Sequence, residues 1–297
     1  MHTPVRLAEI LNAYEMALTR RQRKRASFQN AQKHGKILMD FYGPNFNVVS
    51  MQPLDLEKLI AARLAAGAAP AYAGGTLRIL RAAMGVAIDV GLLEALPFHE
   101  RRWAAARPRI GRKDPSVLQG CDLTRLLAAA EEPVRTAMWI AARAGLRHQE
   151  ILHLTVGDVR LEEGVIKVTP KRGWTPKAYH ERTIPISPQL ADVLRTYLSG
   201  HATQDPGAWL FPGVDQQRTR LDQQVRAVFK AAGLYLAANK PGLHMLRRTW
   251  ATKCLAAGAS LPDLMKMGGW SDLAVVQRYV ASTDEGQRTA ILALDGA

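Results

Sequence analysis

His244, Arg247, Trp270 and Tyr279 have the types and spacing for chemistry on a phosphate ester. His244 and Arg247 lie three residues apart, so on a helix they share one face. Pro241-Gly242 just before them reads as a turn that starts such a helix. Both therefore fall near its N-terminal end, where unpaired N–H groups and the helix dipole favour an anion. Tyr279 is a phenol, a group that titrates at about 10 and needs help to attack phosphorus at neutral pH. Arg147 and Arg247 can give that help. A guanidinium stays charged and presents a planar fork to phosphate oxygens. Two of them would offset the charge that grows on the non-bridging oxygens of a pentacoordinate transition state, which removes the need for a divalent metal. His244 would bond the phosphate or take the tyrosine proton. The indole N–H of Trp270 only donates, so it can hold an oxygen but cannot shuttle a proton.

Several elements must position this set. Ala257-Gly258 closes the first C-terminal helix with a left-handed cap. Ser260-Leu261-Pro262-Asp263 opens the next with a cap, an early proline and an acidic residue. Gly268-Gly269 stops it, Ser271-Asp272 caps a third helix, and Tyr279 lies about two turns into that one. Upstream, residues 122–131 and 133–143 are expected to be helices, with Gly145 ending the second. Arg147 sits just past that end, before a short helix with Glu150, Ile151 and Leu154. Residues 165–169 and 181–186 are apolar, β-branched and short, as strands are. The loop from Pro170 to Lys177 joins them as a hairpin. Ser187-Pro188 caps a helix to Leu198, and 217–232 forms another, with Arg218 and Arg220 at its start.

The N-terminal third predicts only helices, over 5–19, 27–42, 53–66 and 76–90. The last carries Leu77, Leu80, Met84 and Ile88 on its apolar face. Residues 100–115, which hold Arg101, Arg102, Arg107, Arg109, Arg112 and Lys113 along with Pro108 and Pro115, predict a basic linker. The expected fold is mainly α with a small antiparallel β-sheet: a helical N-terminal domain over 1–100, a linker over 101–115 and an α+β domain over 116–297.

His244-x-x-Arg247, then Gly-Gly-Trp270, then Tyr279, resembles the second signature box of the tyrosine recombinases, the phage integrase family. Ala144-Gly145-Leu146-Arg147-His148-Gln149-Glu150-Ile151-Leu152 resembles the first box. The resemblance spans about Ala141 to Val280. The four N-terminal helices resemble the family's core-binding domain, which clamps DNA. Trp270 stands where the family most often has histidine, although some members carry tryptophan.

The resemblance implies a site-specific recombinase that cuts and rejoins DNA. Tyr279 would form a 3′-phosphotyrosine, and a partner strand's 5′-hydroxyl would reverse the step without ATP. Four protomers would act on two duplexes through a Holliday junction, with accessory DNA-bending proteins as further partners. Lys171 is placed like the family's hairpin lysine, the general acid for the leaving 5′-oxygen, with Lys177 the alternative. Glu150 would orient Arg147. The apolar end at Ala290, Ile291, Leu292 and Leu294 would pack on a neighbouring protomer, or back on its own domain. The same chemistry serves a type IB topoisomerase, which relaxes DNA without exchanging partners. A non-catalytic DNA-binding relative would have no use for the tyrosine.

Composition agrees with a DNA partner. The 297 residues are 47% apolar, enough for two cores, and carry 40 Lys and Arg against 26 Asp and Glu, a net charge of +14. Such an excess favours a polyanion. No apolar run approaches the roughly 20 residues that cross a bilayer, which favours nucleic acid over membrane, and the resemblance makes it double-stranded DNA. Candidate backbone contacts are Arg20, Arg21, Arg23, Lys24 and Arg25, then Arg78 and Arg81, the linker cations, and Arg172, Arg218 and Arg220. Two cysteines far apart, Cys121 and Cys254, imply no disulfide framework and a reducing compartment; with the resemblance, the expected setting is cytoplasmic, on the nucleoid. The N-terminus shows no secretory leader. No zinc spacing, Walker loop or dinucleotide fingerprint occurs, so no metal or cofactor is expected.

Overall fold

The computed structural model describes residues 3–20, 25–109, 117–171, 173–176, 181–200, 203–212, 218–235 and 241–277, and the chain divides into units at 1–112 and 113–297, each with its own apolar core.

The first unit is helical: α1 (Leu7–Arg20), α2 (Arg25–Tyr42), α3 (Pro53–Ala65), α4 (Pro70–Asp89) and α5 (Glu100–Ala105). Helix α4 packs against α1, α2 and α3. It buries residues around most of its girth, among them Ala73, Gly75, Leu77, Leu80, Ala83, Met84 and Ala87. Its small residues let neighbours come close: a Cβ on Gly75 would meet the His34 ring at 3.2 Å. Helix α4 begins at Pro70, ahead of the expected Thr76, because proline suits the first helical position and the close packing at Gly75 stabilises a glycine within the helix. The expected linker also starts as structure. Trp103, on α5, is 1% exposed and joins the core beside Phe98, at a centroid distance of 5.1 Å. Burying an indole there gains more than a solvated linker could.

The second unit contains α6 (Gly120–Ala128), α7 (Val134–Arg143), α8 (His148–Leu152), β1 (Val159–Arg160), β2 (Val165–Val168), β3 (Arg182–Pro185), α9 (Pro188–Ser199), α10 (Arg218–Ala231), α11 (Leu243–Ala256), α12 (Leu261–Gly268) and α13 (Leu273–Val276). The strands form one antiparallel sheet in the order β1-β2-β3, with Ile166 opposite Ile184 and Val168 opposite Arg182. Ile166, Val168 and Ile184 point into a core shared with α6 to α11. Each such side chain contributes about 1.5–3 kcal/mol. A smaller core of Trp250, Ala251, Leu264 and Val276 holds α11, α12 and α13 together. The fold class is therefore the expected one. Among the described residues no helix is long and apolar enough to cross a membrane.

Candidate active site

The three C-terminal helices end and start where local sequence dictates. Gly258 has φ 89° after α11. The Ser260 side chain accepts the Asp263 N–H, and that of Asp272 accepts the Ala274 N–H. Gly269 caps α12 in the left-handed region, at φ 61°. This glycine turn is where two distant arginines meet.

Arg147 is the N-cap residue of α8. Its main-chain N–H donates to Glu150 Oε2 at 2.7 Å and its Nη1 to Glu150 Oε1 at 2.9 Å. Its Nη2 donates to the Gly269 carbonyl at 2.5 Å. Arg247, on the second turn of α11, is 1% exposed. Its Nη2 donates to the Gly268 carbonyl at 2.6 Å and its Nη1 to the Gly145 carbonyl. The Trp270 ring lies against it, 4.1 Å from guanidinium carbon to ring centroid, a cation–π contact. Trp270 in turn stacks on Trp250. The glycines are sterically required. A Cβ on Gly268 would fall 2.0 Å from the Trp270 ring, and one on Gly145, at φ 65°, would fall 2.1 Å from Trp250.

Glu150 is 2% exposed. Burial alone would raise its pKa. Hydrogen bonds from Arg182, the charges of Arg182 and Arg147, and the Arg147 N–H more than offset that, and it is pulled down to about 2. It is a carboxylate at any ordinary pH. Its strongest partner was missed in the sequence: Arg182, on β3, donates to Glu150 Oε1 and Oε2 at 2.9 and 2.6 Å. A polar residue opening a short strand looks solvent-facing. The available signal was its alternation in phase with the buried Ile184.

His244 lies in the first turn of α11. It is exposed at its surface, yet burial of the ring, then the cations of Arg248, Arg247 and Arg147, push its pKa down to about 4. The imidazole is thus neutral at pH 7, with one nitrogen able to accept a proton.

Lys171 opens the hairpin turn, exchanging main-chain hydrogen bonds with Trp174 at 2.8 and 2.9 Å. Its Nζ donates to Asp158 Oδ1 at 2.9 Å and to the Thr169 hydroxyl. Asp158 is itself buried and also accepts from the Thr155 N–H and hydroxyl. The Trp174 ring stacks on His153, which caps α8, with centroids 4.5 Å apart and planes at 9°. The structure thus brings Arg147, Glu150, Arg247 and Trp270 into one cluster with the glycine turn, and pins Lys171 through Asp158.

The basic candidates Arg20, Arg78, Arg101, Arg102, Arg107, Arg109 and Arg220 are exposed. Arg81 and Arg107 both reach Glu100, at 2.5 and 3.8 Å. Tyr279 lies outside the described residues, as do Arg21, Arg23, Lys24, Arg112, Lys113, Arg172, Lys177 and the segment 286–297, together with the side chains of Arg25 and Arg218.

A model of the phage integrase family matches residues 116–286. The chain is 28% identical over 223 residues to tyrosine recombinase XerC of Erythrobacter litoralis, covering 71% of this chain and 68% of that protein. It is 30% identical over 191 residues to tyrosine recombinase XerA of Thermococcus kodakarensis, covering 62% and 64%. The chain thus spans about two thirds of the length of these relatives. Among solved structures, the Tn1549 transposon integrase in complex with a circular intermediate DNA superposes with TM-score 0.76 at 17% identity, over 98% of this chain and all 100% of that one. A lambda integrase tetramer bound to a Holliday junction superposes with TM-score 0.67 at 20% identity, over 95% and 80%. At these identities the likeness is one of fold.

Proposed function

Because the chain belongs to the phage integrase family, whose relatives named above are tyrosine recombinases, we propose that it is a site-specific DNA recombinase working through a 3′-phosphotyrosine and a Holliday junction. The observation that carries this reading is the convergence of Arg147 and Arg247 on the consecutive carbonyls of Gly269 and Gly268. Two permanent cations held at one turn, with a neutral His244 near the helix start, suit a single phosphodiester.

In this reading Tyr279 Oη attacks phosphorus as the bond to the 5′-oxygen breaks. The phenol proton passes to His244, whose depressed pKa leaves it free to accept one. Arrival of the phosphate adds negative charge and raises that pKa toward the task. Lys171 gives a proton to the departing 5′-oxygen. Arg147 and Arg247 hold the non-bridging oxygens, assisted by the Trp270 indole. The phosphoester keeps the bond energy, so a 5′-hydroxyl from a partner strand reverses the step with neither ATP nor metal. The N-terminal helical unit grips the duplex through exposed Arg20, Arg78, Arg101 and Arg102. The solved neighbours bound to DNA, one as a tetramer on a Holliday junction, support assembly of several protomers on DNA.

A suicide substrate, nicked so that the cleaved end diffuses away, tests the nucleophile. The wild type should give a covalent protein–DNA band on a denaturing gel. Tyr279→Phe should bind the same DNA and give none. A band that persists in the variant removes Tyr279 from the mechanism.

A further inference from the structure

Arg182 stands at a junction of three segments that the proposed reaction uses separately. It opens β3, opposite Val168, so it sits at the root of the hairpin that carries Lys171. Its side chain is 4% exposed and that of Glu150 is 1% exposed. Both Nη atoms donate to Glu150, and Nε donates to the Met267 carbonyl at 2.7 Å. Met267 lies in the last turn of α12, just before the glycine turn that accepts from both Arg147 and Arg247. Trp174, three residues past Lys171, stacks on His153, the C-cap of α8. The segment is therefore tied to α8 twice, by Arg182 on β3 and by Trp174 past Lys171.

We infer that Arg182 is a positioning residue for the strand-cleavage reaction: it holds Glu150, and through Glu150 the phosphate-binding Arg147, while fixing the root of the Lys171 hairpin to the same frame. This rests on the reading of Arg147 and Lys171 given above. The argument is one of geometry and cost. Burying a guanidinium and a carboxylate costs several kcal/mol per ion in desolvation, and an apolar pair of similar volume is often as stable. A buried fork that uses three donors on three acceptors in two other segments gives orientation that an apolar pair cannot give. Among the described residues, the charged groups facing Glu150 are Arg147, at the start of its own helix, and Arg182 from β3, while α12 faces the cluster with the Met267 and Gly269 carbonyls. With Arg182 gone, Glu150 stays buried with Arg147 as its one strong cation. Its pKa then climbs from about 2, and acid would neutralise the group that aims Arg147.

The test uses the full chain and a suicide substrate, with the rate of covalent adduct formation followed from about pH 7.5 to about pH 5. Arg182→Met should bind a half-site to within about twofold of wild type and form adduct about 10- to 100-fold more slowly, the scale of a misplaced catalytic group. Its rate relative to wild type should fall further on acidification, since the wild type carries only the limb of His244. Arg182→Lys keeps a cation beside Glu150 but cannot fork to both its oxygens and to Met267. It should keep a constant rate relative to wild type across this range, at an intermediate value. Should Arg182→Met not fold, the lysine variant alone decides. A wild-type rate in either variant overturns the inference. So does a loss in Arg182→Met that follows the loss of folded protein and is the same at every pH. A wild type that yields no adduct instead overturns the reading of function.

Discussion

The two units treat buried polarity in opposite ways. Among the described residues the N-terminal unit buries a neutral pair, His34 and Thr76, joined at 3.0 Å between α2 and α4. Its charged pair Arg81–Glu100 stays at the surface. The C-terminal unit buries Glu150, Asp158, Arg182 and Arg247. A fold that needed only stability would have little reason to do so, since the attraction of buried ions barely repays their desolvation. The difference separates a unit built to hold a shape from one built to hold charges in fixed directions.

The most severe way to break that contrast is Arg247→Ala. Adduct formation should fall about 10²–10³-fold, as for loss of a transition-state donor. The Gly145 and Gly268 carbonyls would each lose a donor, at about 1–3 kcal/mol apiece. Single-turnover cleavage and a thermal melt measure the two effects, and a drop in the melt without a drop in rate would make the residue purely structural. Lys171→Ala comes next. Cleavage should slow by about 100-fold, in the range of general acid catalysis. A 5′-phosphorothiolate, which leaves without a proton, should restore much of it. If Lys177→Ala is the variant so restored, the proton comes from the other end of the loop.

Acid sharpens the contrast more gently. Burial first, then the charges of Arg78 and Arg63, lower the pKa of His34. The unfolded chain therefore binds a proton before the folded one does, and stability falls as pH drops below about 6.5. Glu150 has the same sign in a lower window: its depressed pKa contributes stability that is complete above the usual carboxylate range and is lost as pH falls from there through about 2. Hydrogen exchange should therefore quicken around His34 in α2 and α4 between about pH 6.5 and about pH 5, while α8 and β3 stay protected. Equal loss in both regions would remove the distinction. The smallest effect belongs to Arg81→Ala, which breaks an exposed pair and should shift stability by less than about 1 kcal/mol.

What the sequence showed plainly was local. Caps such as Ser187, Ser260 and Asp272, and the glycines at 258 and 269, act within a few residues of themselves, so their types announce them. The convergence of Arg147 and Arg247 came from a family resemblance rather than from periodicity, because nothing local joins Gly145 to Gly268. Arg182 stayed hidden for the same reason, as its partner is a helix on the far side of the hairpin. The sequence reads helix α5 as linker because its basic face is visible there while the partners of Trp103 are not. The strand β1 is two residues long and carries no detectable alternation.

The glycine turn leaves Trp270 between two partners. Its ring stacks on Trp250 with centroids 6.1 Å apart and planes at 24°, and its face receives the Arg247 guanidinium. Two indoles this close share their electronic excitation, and a cation on one face shifts the emission of the ring beneath it. The molecule thus carries its own optical gauge at the place where the phosphate is proposed to bind. In near-ultraviolet circular dichroism and intrinsic fluorescence summed over the six tryptophans, a movement of α12 against α11 that alters this stack would add its own change, with no dye attached.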